Sequence, residues 1–152
     1  MSTQLDIGGY KIEFDREATA ACYAQIAVPG PEACGCAQCR NWAAARDHVV
    51  PADVRQFLAA LGIPLRGEIE VWEVPGESQP HFYGGWYFFV GRIVAGMERH
   101  EFDCGTILLS FASRGSFAVP AFEGKQVCEL HFTTEVGEYL SQEEYAALPK
   151  PK

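Results

Sequence analysis

Three cysteines lie within six residues of the sequence, in the segment Cys34-Gly35-Cys36-Ala37-Gln38-Cys39. Thiolate sulfur is a preferred ligand of zinc and of other soft metal ions. Gly35 permits a tight turn between the first two thiols, and Cys36 and Cys39 fall on one face of a helix. The three side chains can therefore converge on one ion, and the spacing predicts a zinc site at Cys34, Cys36 and Cys39.

A structural zinc ion takes four ligands, so a fourth must come from elsewhere in the fold or from water. The sequence offers four candidates, which are Cys22, His48, His81 and Cys104. Cys22 ranks first because the flexible Pro-Gly-Pro segment at 29–31 can fold back toward the cluster. His48 can return only if the helix after Cys39 ends early. We therefore predict a zinc site formed by Cys34, Cys36, Cys39 and Cys22.

The same cysteines allow two other interpretations. Cys36 and Cys39 at a helix N-terminus would feel the helix dipole and Arg40, which lower a thiol pKa and favour a redox-active dithiol. A thioredoxin-like setting, however, has a strand directly before this motif, and here the preceding residues are Pro-Gly-Pro-Glu at 29–32. Alternatively, the cysteines are small buried residues without chemistry. All three interpretations stay open on the sequence.

Two resemblances involve this segment. The octet CGCAQCRN, residues 34–41, is similar to the second cysteine stretch of glutathione-dependent formaldehyde-activating enzymes. Their earlier Gly-x-Cys-x-Cys-Gly stretch and later paired cysteines have no counterpart here, so no function is carried over. Over about half of the chain, the sequence also resembles a small family of uncharacterised bacterial proteins. That resemblance rests on Cys36-x-x-Cys39-x-Asn41, on Phe57-Leu58-Ala59-Ala60-Leu61-Gly62-Ile63 and on Tyr83-Gly84-Gly85-Trp86-Tyr87, and it implies no activity.

Motifs of the well-known enzyme classes are missing from the sequence. It contains no P-loop, no G-x-S-x-G elbow, no H-E-x-x-H and no dinucleotide-binding glycine pattern. The four histidines are dispersed, and none is paired locally with a catalytic or metal-binding partner. The sequence therefore favours a protein that is not an enzyme, without deciding the question.

The charge balance limits the partners that we expect. The chain has 20 Asp and Glu against 12 Lys and Arg, a formal net charge of −8, which repels nucleic acid and anionic lipid headgroups. Residues 82–97, the longest apolar stretch, contain several glycines and Arg92, and they fall short of the roughly 20 residues of a membrane span. We expect no nucleic-acid or membrane partner. A basic protein docking on acidic and aromatic surface is an alternative function, and a homo-oligomer is also open.

The N-terminal sequence MSTQLDIGGYKIEF lacks the basic start and the long apolar stretch of a signal peptide. A cytoplasmic location is therefore expected. Because the cytosol keeps thiols reduced, the 6 cysteines are better interpreted as thiols or metal ligands than as disulfides.

The pattern of the whole chain predicts one domain over residues 1–148 and a mobile tail at 149–152. Hydrophobic period and capping signals predict an opening strand or hairpin over 5–14, helices over 18–26, 38–47, 51–61 and 141–147, and strands over 68–74, 82–94, 106–112 and 126–136. Short connections favour antiparallel pairing. The predicted fold is α+β, with N-terminal helices packed on a mostly antiparallel sheet of about five strands.

The stretch from His81 to Gly91 is unusually rich in aromatic residues. A central strand of the core, with Gly84-Gly85 as a bulge or hairpin turn, explains it best. A groove that uses the rings of Tyr83, Trp86 and Tyr87 to bind a ligand is the alternative.

Overall fold

A computed structural model of the chain describes residues 2–28, 30–74, 81–113 and 119–137, and it has an α+β fold. In these ranges the helices are α1 (Arg16–Tyr23), α2 (Gly30–Cys34), α3 (Ala37–Val49) and α4 (Ala52–Leu61), with a 3-10 turn at Pro120–Phe122. The strands are β1 (Thr3–Ile7), β2 (Tyr10–Phe14), β3 (Glu70–Val74), β4 (His81–Ala95), β5 (Phe102–Cys104), β6 (Ile107–Ser113) and β7 (Val127–Val136). The predicted helix at 141–147 and the tail at 149–152 lie outside the described residues.

The seven strands of the described ranges form one sheet. Six of them follow the order β1-β2-β4-β7-β6-β5, and β3 pairs with residues 82–86 of β4 outside that order. All of the strand pairings are antiparallel. The prediction of about five strands is therefore too low. The opening segment is a two-stranded hairpin with Gly8 and Gly9 at its turn, and β5 has only 3 residues, too few to show a period of two.

The long strand β4 is the centre of the sheet. Its first ten residues pair with β7 in continuous register, and β3 pairs with the same part of β4 from the other side. Gly84 and Gly85 lie inside this continuous pairing, so they form neither a bulge nor a turn. The prediction of a core strand is correct, because Tyr83, Phe88 and Phe89 are fully buried.

The helices contact this sheet through a few large side chains. The Trp42 ring of α3 is stacked on Phe132 of β7, with ring centroids 5.1 Å apart. From α1, the Tyr23 hydroxyl donates to the carbonyl oxygen of Phe88 at 2.7 Å and accepts from the Phe88 N–H at 2.9 Å. Across the described ranges, every helix is too short or too polar to cross a bilayer.

Two helix boundaries follow from local capping. Helix α1 begins at Arg16, two residues before the predicted start, because the Asp15 carboxylate caps it by accepting the N–H of Ala18 at 2.9 Å. Helix α4 ends at Leu61, as predicted, since Gly62 adopts a left-handed conformation with φ of 83°.

Candidate metal centre

The cysteine cluster lies at the junction between α2 and α3. Cys34 is the last residue of α2, and Gly35 follows it with a φ of 66°, a left-handed conformation that glycine adopts without strain. Cys36 is then extended and precedes α3 as its N-cap residue, and Cys39 lies in the first turn of that helix. The glycine therefore reverses the chain, which brings the Cys34 thiol at the end of α2 toward the thiols at the start of α3.

The three thiols meet in space. The sulfur atoms of Cys34, Cys36 and Cys39 all lie within 4.8 Å of one another. Zinc–sulfur bonds of about 2.3 Å place the sulfurs of a tetrahedral site about 3.8 Å apart, so the sulfurs need to close by about 1 Å at most. Cys36 and Cys39 are each only 6% exposed, whereas Cys34 is open to solvent. The cluster can therefore hold a metal ion that enters from the Cys34 side.

The thiols of the cluster differ in acidity. The backbone N–H of Cys36, followed by its side chain, lowers the pKa of Cys34 by hydrogen bonding to its sulfur. Burial raises the pKa of Cys39, and hydrogen bonds with the other two thiols raise it further because they favour the neutral form. Cys34 is therefore more acidic than Cys39. Cys34 does not belong to the Cys36–Cys39 pair that the sequence suggested as a redox-active dithiol.

Cys22, the fourth ligand expected from the sequence, does not belong to the group of sulfurs within 4.8 Å. It lies on the buried face of α1 between Thr19 and Tyr23. Both neighbours are hydrogen-bonded to the backbone of β4, with the Thr19 hydroxyl accepting the N–H of Val90 at 2.9 Å. This docking directs Cys22 into the core, where burial raises the pKa of its thiol.

The other candidate ligands are also outside the group. Helix α3 continues to Val49, so the exposed His48 lies nine residues beyond Cys39, a rise of about 13 Å along the helix axis. His81 at the start of β4 is paired with the carboxylate of Glu73 on β3. Cys104 ends β5, and burial raises the pKa of its thiol.

A buried tyrosine fixes the N-terminus of α3 over the sheet. The hydroxyl of Tyr83, which is 0% exposed, donates a hydrogen bond to the carbonyl oxygen of Gln38 at 3.0 Å. The Asn41 amide donates to the same hydroxyl at 3.4 Å and to the carbonyl oxygen of Gly137 at 3.2 Å. The first turn of α3, which carries Cys39, therefore has a defined position relative to β4.

Sequence reasoning did not find a buried charged cluster that involves the two helices next to the cysteines. Arg46 of α3 and Glu68, just before β3, are both fully buried and form an ion pair. Arg46 also pairs with Glu32 of α2, and the indole N–H of Trp42 donates to Glu68. Burial raises the pKa of Glu68, and the charge of Arg46 opposes that shift. The only signal in the sequence is that Cys39, Trp42 and Arg46 follow helical spacing on one face.

Comparison with known proteins adds no family to this description. No protein-family model matches the chain, and comparisons with curated proteins and with solved structures found no match. The resemblance to a small bacterial family stays a prediction. The geometry of the cysteines is therefore the main evidence for a function.

Proposed function

We propose that Cys34, Cys36 and Cys39 bind one zinc ion, which has a structural role at the junction of α2 and α3. The observation that carries this proposal is that three sulfurs at the junction of α2 and α3 lie within 4.8 Å of one another. Sulfur ligands disfavour magnesium and calcium, which prefer oxygen, and they suit zinc.

A structural role is supported by what the ion would hold together. Helix α2 has only 5 residues, and so short a helix is not stable in isolation. Zinc would join its last residue to the first turn of α3. Because such a site does not exist in the unfolded chain, the free energy of zinc binding would stabilise the folded state.

Elemental analysis of untagged protein, purified without a chelator, tests the proposal. We expect about one equivalent of zinc in the wild type and a loss of most of it in Cys34→Ser, Cys36→Ser and Cys39→Ser. Cys104→Ser is the matched control, because this thiol is half-buried and lies outside the cluster. A wild-type chain with less than about a tenth of an equivalent of any transition metal would refute the site.

A second candidate function is docking of a basic protein. Trp72 and Val74 on β3 and Phe82 on β4 are 37%, 48% and 40% exposed, and the Trp72 and Phe82 rings are 6.0 Å apart. The exposed Glu135 lies opposite Phe82 in the sheet. This patch joins aromatic surface to negative charge, which suits a partner with basic and apolar residues.

The docking function is tested by affinity purification with wild-type and Trp72→Ser/Phe82→Ser baits. The expected result is a basic protein that the wild type retains and the double variant does not. Its binding to the wild type should weaken as the salt concentration rises. Equal recovery by both baits would refute the role of this patch. Sedimentation of the purified wild type would show whether the patch instead joins two copies of the chain.

A further inference from the structure

The proposed zinc ion has three sulfur ligands and needs a fourth ligand. In the described part of the chain, the group of Cys, His, Asp and Glu donors within 4.8 Å of one another contains only Cys34, Cys36 and Cys39. A different donor lies beside them. The side-chain oxygen of Gln38 is 3.7 Å from the sulfur of Cys36, whose thiol donates a hydrogen bond to it.

That separation is the one that two ligands of the same zinc ion would have. With a zinc–sulfur bond of about 2.3 Å and a zinc–oxygen bond of about 2.1 Å, a tetrahedral ion separates sulfur from oxygen by about 3.6 Å. Zinc binding would remove the proton of the Cys36 thiol. The oxygen lone pair that accepts this proton in the metal-free protein would then be available to the ion.

The backbone around Gln38 is already fixed in place. Gln38 is the second residue of α3, and its carbonyl oxygen accepts the hydrogen bond from the buried hydroxyl of Tyr83. Its side chain is half-buried and turns back toward the helix N-terminus, where Cys36 lies. The amide oxygen is therefore held next to one of the three sulfurs that would bind the ion.

We propose that the amide oxygen of Gln38 is the fourth zinc ligand. This inference rests on the proposed zinc site and makes it a closed site with no position for an external ligand. A neutral oxygen also limits the charge of the zinc and its three thiolates to −1, which is less costly to place against buried surface than a site with a fourth anion.

Cobalt substitution tests the inference, because the visible bands of Co(II) respond to a change of ligand. We compare the wild type with Gln38→Ala, with Gln38→Glu and with the control Gln25→Ala, whose side chain is exposed on the turn after α1. Each cobalt-loaded protein is titrated with azide. The wild type, Gln25→Ala and Gln38→Glu should be insensitive, whereas the spectrum of Gln38→Ala should differ from the wild type and shift with azide. Zinc affinity, measured by chelator competition, should fall about tenfold or more in Gln38→Ala.

The outcomes separate this inference from the zinc proposal itself. If wild type takes up cobalt and azide shifts its spectrum as it does that of Gln38→Ala, water is the fourth ligand and Gln38 is not. The same conclusion follows if Gln38→Ala has an unchanged spectrum. If the wild type takes up less than about a tenth of an equivalent of cobalt, the proposed metal site is refuted, and so is the proposal that Gln38 is its fourth ligand. Circular dichroism confirms folding, and if the alanine variant unfolds, the azide titration of the wild type still distinguishes a closed site from one that holds water.

Discussion

The guanidinium of Arg46 donates two hydrogen bonds, at 2.7 and 2.9 Å, to the carboxylate of Glu68, and both side chains are at most 1% exposed. Arg46 lies on the same helix as Cys39, seven residues further along the chain. Its second contact is with Glu32, two residues before Cys34. Helix α2, which ends with Cys34, and helix α3, which carries Cys39, are therefore joined through one buried charge.

The first prediction concerns the stability that this pair controls. Glu68→Ala should lower the free energy of unfolding by about 3 kcal/mol or more, because it leaves Arg46 buried without its main counter-charge. The control is Asp47→Ala, which breaks the exposed Arg66–Asp47 pair at 3.2 Å and should cost less than about 1 kcal/mol. Urea denaturation measures both values. A cost for Glu68→Ala no greater than that of Asp47→Ala would contradict the prediction.

The second prediction concerns the paired glycines of β4. A Cβ atom on Gly85 would lie 2.2 Å from the backbone carbonyl oxygen of Glu70, whereas the atoms nearest to one on Gly84 all belong to the ring of Trp72. A partly exposed ring can move, but the backbone of β3 cannot move without losing its pairing with β4. Gly85→Ala should therefore cost about 2 kcal/mol or more in urea denaturation, and clearly more than Gly84→Ala. Equal costs would show that β3 yields as easily as the Trp72 ring.

The third prediction separates the dithiol interpretation from the metal site. In the metal-free, reduced protein, iodoacetamide should modify Cys34 first, because this thiol is exposed and hydrogen bonds lower its pKa. Cys39 and Cys128 should react slowly, since burial raises the pKa of both thiols, that of Cys128 to about 12. Peptide mass spectrometry over time gives the order, and zinc should protect Cys34. If Cys36 or Cys39 reacts first, the dithiol that the sequence suggested regains support.

The fourth prediction concerns the pH dependence of zinc binding. The raised pKa of Cys39 means that this thiol holds its proton at neutral pH in the metal-free protein and must release it to zinc. Protons therefore compete with the ion, and affinity should fall as pH falls. With at least one proton displaced, the loss between about pH 8 and about pH 6 should be a hundredfold or more, about tenfold per unit. Competition with a chelator of known pH response measures it, and a flat profile would exclude thiol ligands.

Local signals in the sequence were sufficient for most of the elements. The alternation of Cys128, Leu130 and Phe132 with polar neighbours predicts β7, and that face of the strand is buried. Spacing of Val54, Leu58 and Leu61 predicts α4, and all three are buried. Strand β5 and helix α2 were missed because 3 and 5 residues are too few to show a period. The prediction of a bulge or turn at Gly84 and Gly85 is wrong. Glycine is needed at these positions because Trp72 and the backbone of β3 approach closely, and no local sequence pattern records that approach.

The sequence by itself determined that three thiols are close enough along the chain to share an ion, since Gly35 and the first turn of a helix fix their local geometry. Only the tertiary structure decided what surrounds them. It directs Cys22 into the core and brings Arg46 against Glu68 and Glu32. Contacts between residues far apart in sequence depend on how helices dock on the sheet. The position of each helix on the sheet depends on the packing energy of many side chains together. A single sequence does not show which of these side chains are in contact.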